Sequence, residues 1–111
     1  MREKIRDKER LIHIVEAIDT IFEFTQGFTF EDYGNNKMMK FAVVKNLEIV
    51  GEAAYLLSKE FKNQHPEIEW DDVIGMWHLL VHGYYHINDA IVWATIQDNL
   101  PHLQGQIKKI R

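Results

Sequence analysis

Three of the chain's six histidines fall in the stretch GMWHLLVHGYYHIND, at His78, His82 and His86, each four residues after the last. On an α-helix that spacing stacks the imidazoles along one side. Two imidazoles one turn apart could grip a metal ion at about 2 Å, as in zinc sites. An imidazole, with an unperturbed pKa of about 6.5, could instead move a proton at neutral pH. A third reading makes them partly exposed side chains on a helix whose other face is core. The metal reading lacks the glutamate of a His-Glu-x-x-His site, and a third ligand at His86 requires a helix unbroken through Gly83. The proton-transfer reading centres on His82. RNA is cut without a metal if a base removes the 2′-OH proton while cations or donors stabilise charge on the phosphate. The stretch itself contains no arginine or lysine to supply that charge. His13 and His102 read as surface, and His65 as the loop residue before Pro66.

The elements that must position these residues are helical. Leu11, Ile14 with Val15, Ile18, and Ile21 with Phe22 form the buried stripe of a helix over about Asp7 to Phe24. Gly27 and FTFEDYGNN then read as the main inter-helix loop, with Thr29 capping a short turn. Val43, Leu47, Val50, Ala54, Leu57 and Phe61 alternate four and three apart, which predicts one long helix from about Met38 to Lys62. Gly51, Ala53 and Ala54 in that helix are small enough to let another helix axis come close. Pro66 ends it. A third helix is expected from about Trp70 to Gly83, with Trp70, Ile74, Trp77, Val81 and Tyr84 on its core stripe. Asn88 is a good N-cap for a fourth helix carrying Ile91, Val92 and Ile96, and Pro101 either kinks the chain or starts a last helix with Leu103, Ile107 and Ile110. No alternating strand pattern occurs. The fold class is all-α, a bundle of four or five helices.

Residues 1–111 suffice for one helical domain with its own core, with 46% hydrophobic and 12% aromatic content. The absence of cysteine excludes disulfides, Cys-ligated zinc and thiol nucleophiles, and fits a reducing, cytoplasmic setting. The N-terminal residues alternate apolar pairs with charges and lack the continuous apolar block of a signal peptide or membrane span. A formal charge of −4 argues against a DNA-binding protein whose affinity comes from many phosphate contacts, and less against a nuclease that touches RNA briefly. Asp71, Asp72, Asp89 and Asp98 read as favourable charges near helix starts or as solvated surface. Lys37, Lys40 and Lys45 are cations that would reach a phosphate if the second helix borders the site. No cofactor or metal is expected.

The run LEIVGEAAYLLSKEFKNQHPEIEWDDVIGMWHLLVHGYYHIND, followed by AIVWATIQDNLPHL, resembles the HepT-like branch of the HEPN superfamily over about residues 7–110. Its most specific pieces are Gly51-Glu52-Ala53, Pro66-Glu67-Ile68, Ile74-Gly75-Met76, Leu80-Val81-His82-Gly83-Tyr84, Trp93 and Leu100-Pro101. The resemblance implies an up-and-down HEPN-type bundle, a homodimer with a cleft between the two copies of the motif helix, and a metal-independent ribonuclease. It also implies a toxin encoded beside its antitoxin, an MNT-type minimal nucleotidyltransferase. The family motif is an arginine, four residues, a histidine, one residue and a tyrosine. By resemblance His82 is the catalytic histidine and Tyr84 the tyrosine that the antitoxin modifies with AMP, while Glu52 takes a structural role at the helix crossing. Trp77 stands where the arginine belongs, and His78 where an Asn or Asp is usual.

An indole carries no charge and lacks the planar guanidinium fork that grips phosphate oxygens. Two replacements are open. His78 lies about 40° round an ideal helix from His82 and could act beside it as a charged imidazole, whereas Trp77 lies about 140° away and could stack on a base. Three functions follow from this sequence: a HepT-like ribonuclease toxin, active or weakened; a catalytically silent HEPN dimer that binds the nucleotidyltransferase or a nucleotide; and a plain helical dimer whose histidines bind metal adventitiously.

Overall fold

The computed structural model describes residues 2–110, apart from the side chains of Glu3 and Tyr84. These residues form helices and connecting turns, with no strand among them. The first is α1 (Arg2–Thr25), followed by a short α2 (Phe30–Gly34) and the central α3 (Lys37–Leu56). After it come α4 (Lys59–Gln64) and α5 (Trp70–His82), a 3₁₀ turn over Tyr84–His86, then α6 (Asp89–Ala94), a π turn over Thr95–Asn99 and α7 (Leu100–Ile110).

α3 lies between α1 and α5 and packs along both. Directions follow from contacts at the helix ends. Ser58, just past α3, is hydrogen-bonded to Asp7 near the start of α1, so these two helices run antiparallel. Lys40 near the start of α3 pairs at 3.0 Å with Asp89, just past the end of α5, so that pair is antiparallel as well. The bundle is therefore up-and-down. Its core joins Ile14, Ile18 and Ile21 of α1, Val43, Leu47 and Val50 of α3, Leu80 of α5, and Val92, Ile96, Leu103 and Ile107 of the C-terminal helices.

The expected loop after Gly27 contains α2, set by a reciprocal capping box. The Asp32 N–H donates to Thr29 Oγ1 at 3.1 Å, and the Thr29 N–H donates to the Asp32 carboxylate at 2.9 Å. The expected helix from Met38 to Lys62 is broken at Leu57 and Ser58. Ser58 turns extended, caps α4 by accepting from the Phe61 N–H, and is held by the buried Asp7 carboxylate. Leu57 remains buried and Phe61 partly so, because α4 packs back on the same core. Pro101 is the second residue of the last helix, which carries Leu103, Ile107 and Ile110 as the second of the two expectations had it. Lacking an N–H, it follows a π turn in which the Leu100 N–H reaches back to the Thr95 carbonyl, and the chain stays helical from Asp89 to Ile110.

On α5 the buried residue of the last turn is Leu80, whereas Val81, expected on the core stripe, is exposed. Ile91 is likewise exposed, while Val92 and Ile96 are buried as expected. No described helix is long and apolar enough to cross a membrane.

Candidate active site

The site grows from one helix crossing. Gly51 of α3 meets Trp77 of α5 so closely that a β-carbon on Gly51 would overlap the Trp77 Cβ and stand 3.1 Å from its Cα. This is the close approach expected of the small residues in α3, and it fixes the rotation of α5 about its axis. With Trp77 turned against Gly51, His78 and His82 face outward, and both are exposed. Their rings lie nearly parallel, 16° apart, with centroids at 6.1 Å. Two groups that can each hold or release a proton therefore stand side by side at the surface.

Trp77 is not simply core. Its half-buried ring lies 4.8 Å from the His78 ring and 5.1 Å from that of Tyr55, the penultimate residue of α3. Tyr55 also meets His78 edge-on at 6.3 Å. The result is a cluster of four rings, Tyr55, Trp77, His78 and His82, spanning two helices. Sequence reasoning missed Tyr55. The signal was its position off the apolar stripe of α3, one turn beyond Gly51.

His86 does not join the stack. α5 ends at His82, Gly83 caps it, and His86 closes the separate 3₁₀ turn, exposed. The side chain of Tyr84 lies outside the described residues; its backbone opens that turn. Among the described residues no group of three or more His, Cys, Asp or Glu is placed to hold a metal ion. Glu52, expected at the helix crossing, is exposed, and the crossing is made by Gly51 instead.

α5 itself carries no arginine or lysine. Lys62 of α4 donates to the Tyr55 carbonyl at 3.4 Å, capping the end of α3. Lys40 is paired with Asp89, whereas Lys37 and Lys45 are exposed. Asp71 and Asp72 sit in the first turn of α5 and Asp89 in that of α6, where acidic charge is favourable. Asp72 has a further neighbour: its hydrogen bond and negative charge hold the Glu69 carboxyl above the usual carboxylate range, against a smaller opposing effect of His102. That cluster lines a cavity of about 370 Å³, roughly 15 Å along α5 from His82.

Residues 14–110 match the model of the family described as Ribonuclease HepT-like. The chain is 39% identical to the probable ribonuclease HepT of Thermococcus cleftensis, covering 94% of each chain. It is 37% identical to a candidate RNase of Caldanaerobacter subterraneus, over 90% of this chain and 89% of that one. A candidate RNase of Methanocaldococcus jannaschii is 34% identical over 93% of this chain and 85% of its own. No solved structure matches.

Proposed function

The chain belongs to the HepT-like ribonuclease family, and from that premise we propose that it is a metal-independent RNA endonuclease in which His82 moves the proton. The observation that carries this reading is the exposed, nearly parallel pair of His78 and His82. His82 takes the proton of a 2′-OH, the freed oxygen attacks the adjacent phosphorus, and the bond from phosphorus to the 5′-oxygen breaks. That oxygen leaves with a proton from His78 in its charged form, so the proton count closes within the pair. A charged His78 also supplies part of the phosphate stabilisation that Trp77 cannot. Cleavage of single-stranded RNA in EDTA, lost in His82→Ala, tests the assignment.

The protein acts in the cytoplasm as a homodimeric toxin whose antitoxin is an MNT-type nucleotidyltransferase. Met38 and Phe41, 82% and 71% exposed on α3, support pairing with a second copy, since apolar side chains this bare commonly mark contact surfaces. AMP placed on Tyr84 by the antitoxin would add a negative phosphate two residues from His82 and block entry of RNA. Mass spectrometry of the co-expressed pair checks this, and an unmodified Tyr84 while the toxin is demonstrably neutralised would contradict it.

Trp77 favours a second reading. With its Cβ packed on Gly51 and no arginine or lysine on α5, the protein would be a silenced relative that dimerises and binds the nucleotidyltransferase or a nucleotide without cutting RNA. Restoration of cleavage only in Trp77→Arg would select it.

A further inference from the structure

Tyr55 is 52% exposed, yet its ring is held in place by Trp77 and by a nearly perpendicular His78 ring. A ring already fixed by its neighbours loses little freedom when another aromatic stacks on its open part. Such a ring suits a nucleobase, because every base has a π-face. Lys62 brings a positive charge to the backbone of the same residue, its Nζ donating to the Tyr55 carbonyl at 3.4 Å. From Tyr55 the path to His82 runs through His78 in two steps of 6.3 and 6.1 Å between ring centres.

We propose that Tyr55 is a base-stacking residue that seats a nucleotide of single-stranded RNA next to the scissile phosphate, with Lys62 meeting that nucleotide's own phosphate. The assignment rests on the ribonuclease reading of His82. It also gives Trp77 a part: where the family motif has a phosphate-gripping guanidinium, the indole braces the ring that grips a base. Grip on the substrate thus shifts from charge to stacking. Such a site prefers unpaired RNA, because bases within a duplex are not free to stack on a protein ring.

The test uses a short single-stranded RNA with 2′-O-methyl riboses, which lacks the hydroxyl to be deprotonated and therefore reports binding alone. Its affinity is read by fluorescence anisotropy for the full chain and for Tyr55→Ala, Tyr55→Phe, Lys62→Gln and His82→Ala, with cleavage of unmodified RNA followed in parallel. Tyr55→Ala is expected to weaken binding about tenfold, while Tyr55→Phe, which keeps the ring, binds as the natural protein does. Lys62→Gln is expected to flatten the dependence of log affinity on log salt by about 0.7, one phosphate contact on a single strand.

Undiminished binding by Tyr55→Ala, with cleavage present and lost in His82→Ala, would overturn the Tyr55 assignment and leave the His82 reading standing. Weaker binding accompanied by dissociation of the oligomer on sedimentation would overturn it too, and assign Tyr55 to the contact between copies. An unchanged salt slope in Lys62→Gln would remove Lys62 from the site. Absence of both binding and cleavage in the natural protein would overturn this proposal together with the one it rests on.

Discussion

Gly51 and Trp77 touch where α3 and α5 cross, with no room between them for a methyl group. The contact does more than join two helices. It sets the rotation of α5, and through it the outward direction of His78 and His82. Gly51→Ala must push the helices apart, at a cost of about 3 kcal/mol, the upper end for overpacking. In a Trp77→Gly background the same substitution should cost less than about 1 kcal/mol, since the overlapping side chain is gone. Urea denaturation of the four variants measures the coupling, and equal costs in both backgrounds would show that the crossing is looser than described.

Asp7 is the second fixed point. Its buried carboxylate accepts from the Ser58 N–H at 2.8 Å and from Ser58 Oγ at 2.6 Å, tying the start of α1 to the break between α3 and α4. Asp7→Ala leaves the Ser58 N–H without that partner, and a loss of about 2 kcal/mol is expected. Hydrogen exchange should rise first in α4, the segment whose N-cap is released.

Much of this architecture was legible from residue types and spacing, and the failures have physical causes. The Gly51 crossing could be read because a glycine inside a strongly periodic helix needs a close neighbour. The phase of α5 could not, because Leu79, Leu80 and Val81 are consecutive apolar residues, and only the packing of Trp77 on Gly51 buries Leu80 and exposes Val81. The break at Ser58 stayed hidden because the apolar alternation from Val43 to Phe61 runs straight through it. What decides that break is Asp7, 51 residues away in sequence. At the site, His82 and His78 announced themselves by their spacing. Tyr55 did not, since its part depends on a contact between helices that no local pattern encodes.

Tyr33 supplies a pH signature. It is fully buried with no hydrogen-bond partner for its hydroxyl among the described residues, and its pKa is pushed up to about 12 by burial first and by the Asp89 carboxylate second. An unfolded phenol titrates at about 10. Between pH 10 and 12 the unfolded chain therefore releases a proton that the folded chain retains, and stability falls as pH rises. The part due to Tyr33 is fully present below pH 10, and its slope is at most about 1.4 kcal/mol per pH unit. Tyr33→Phe removes it, and at neutral pH the variant should be as stable as the natural protein or more so, since an unpaired buried hydroxyl is gone. A thermal melt series against pH for both proteins checks this, and parallel curves through pH 12 would contradict it.

With His82 taking the 2′-OH proton and His78 giving one to the leaving 5′-oxygen, the rate needs His82 neutral and His78 charged. The pH profile is then bell-shaped. His78→Gln should lower the rate by about 10²-fold and abolish the fall on the alkaline side, because the group that must stay charged is gone. A profile in His78→Gln that keeps both limbs would take His78 out of the chemistry.

The most direct measurement is cleavage of single-stranded RNA in EDTA by the natural protein, His82→Ala and Trp77→Arg side by side. The natural protein should cut, His82→Ala should not, and Trp77→Arg should cut faster by restoring a phosphate-binding fork on the helix of a competent base. Cleavage by Trp77→Arg alone, or cleavage that survives in His82→Ala, would contradict the proposed function.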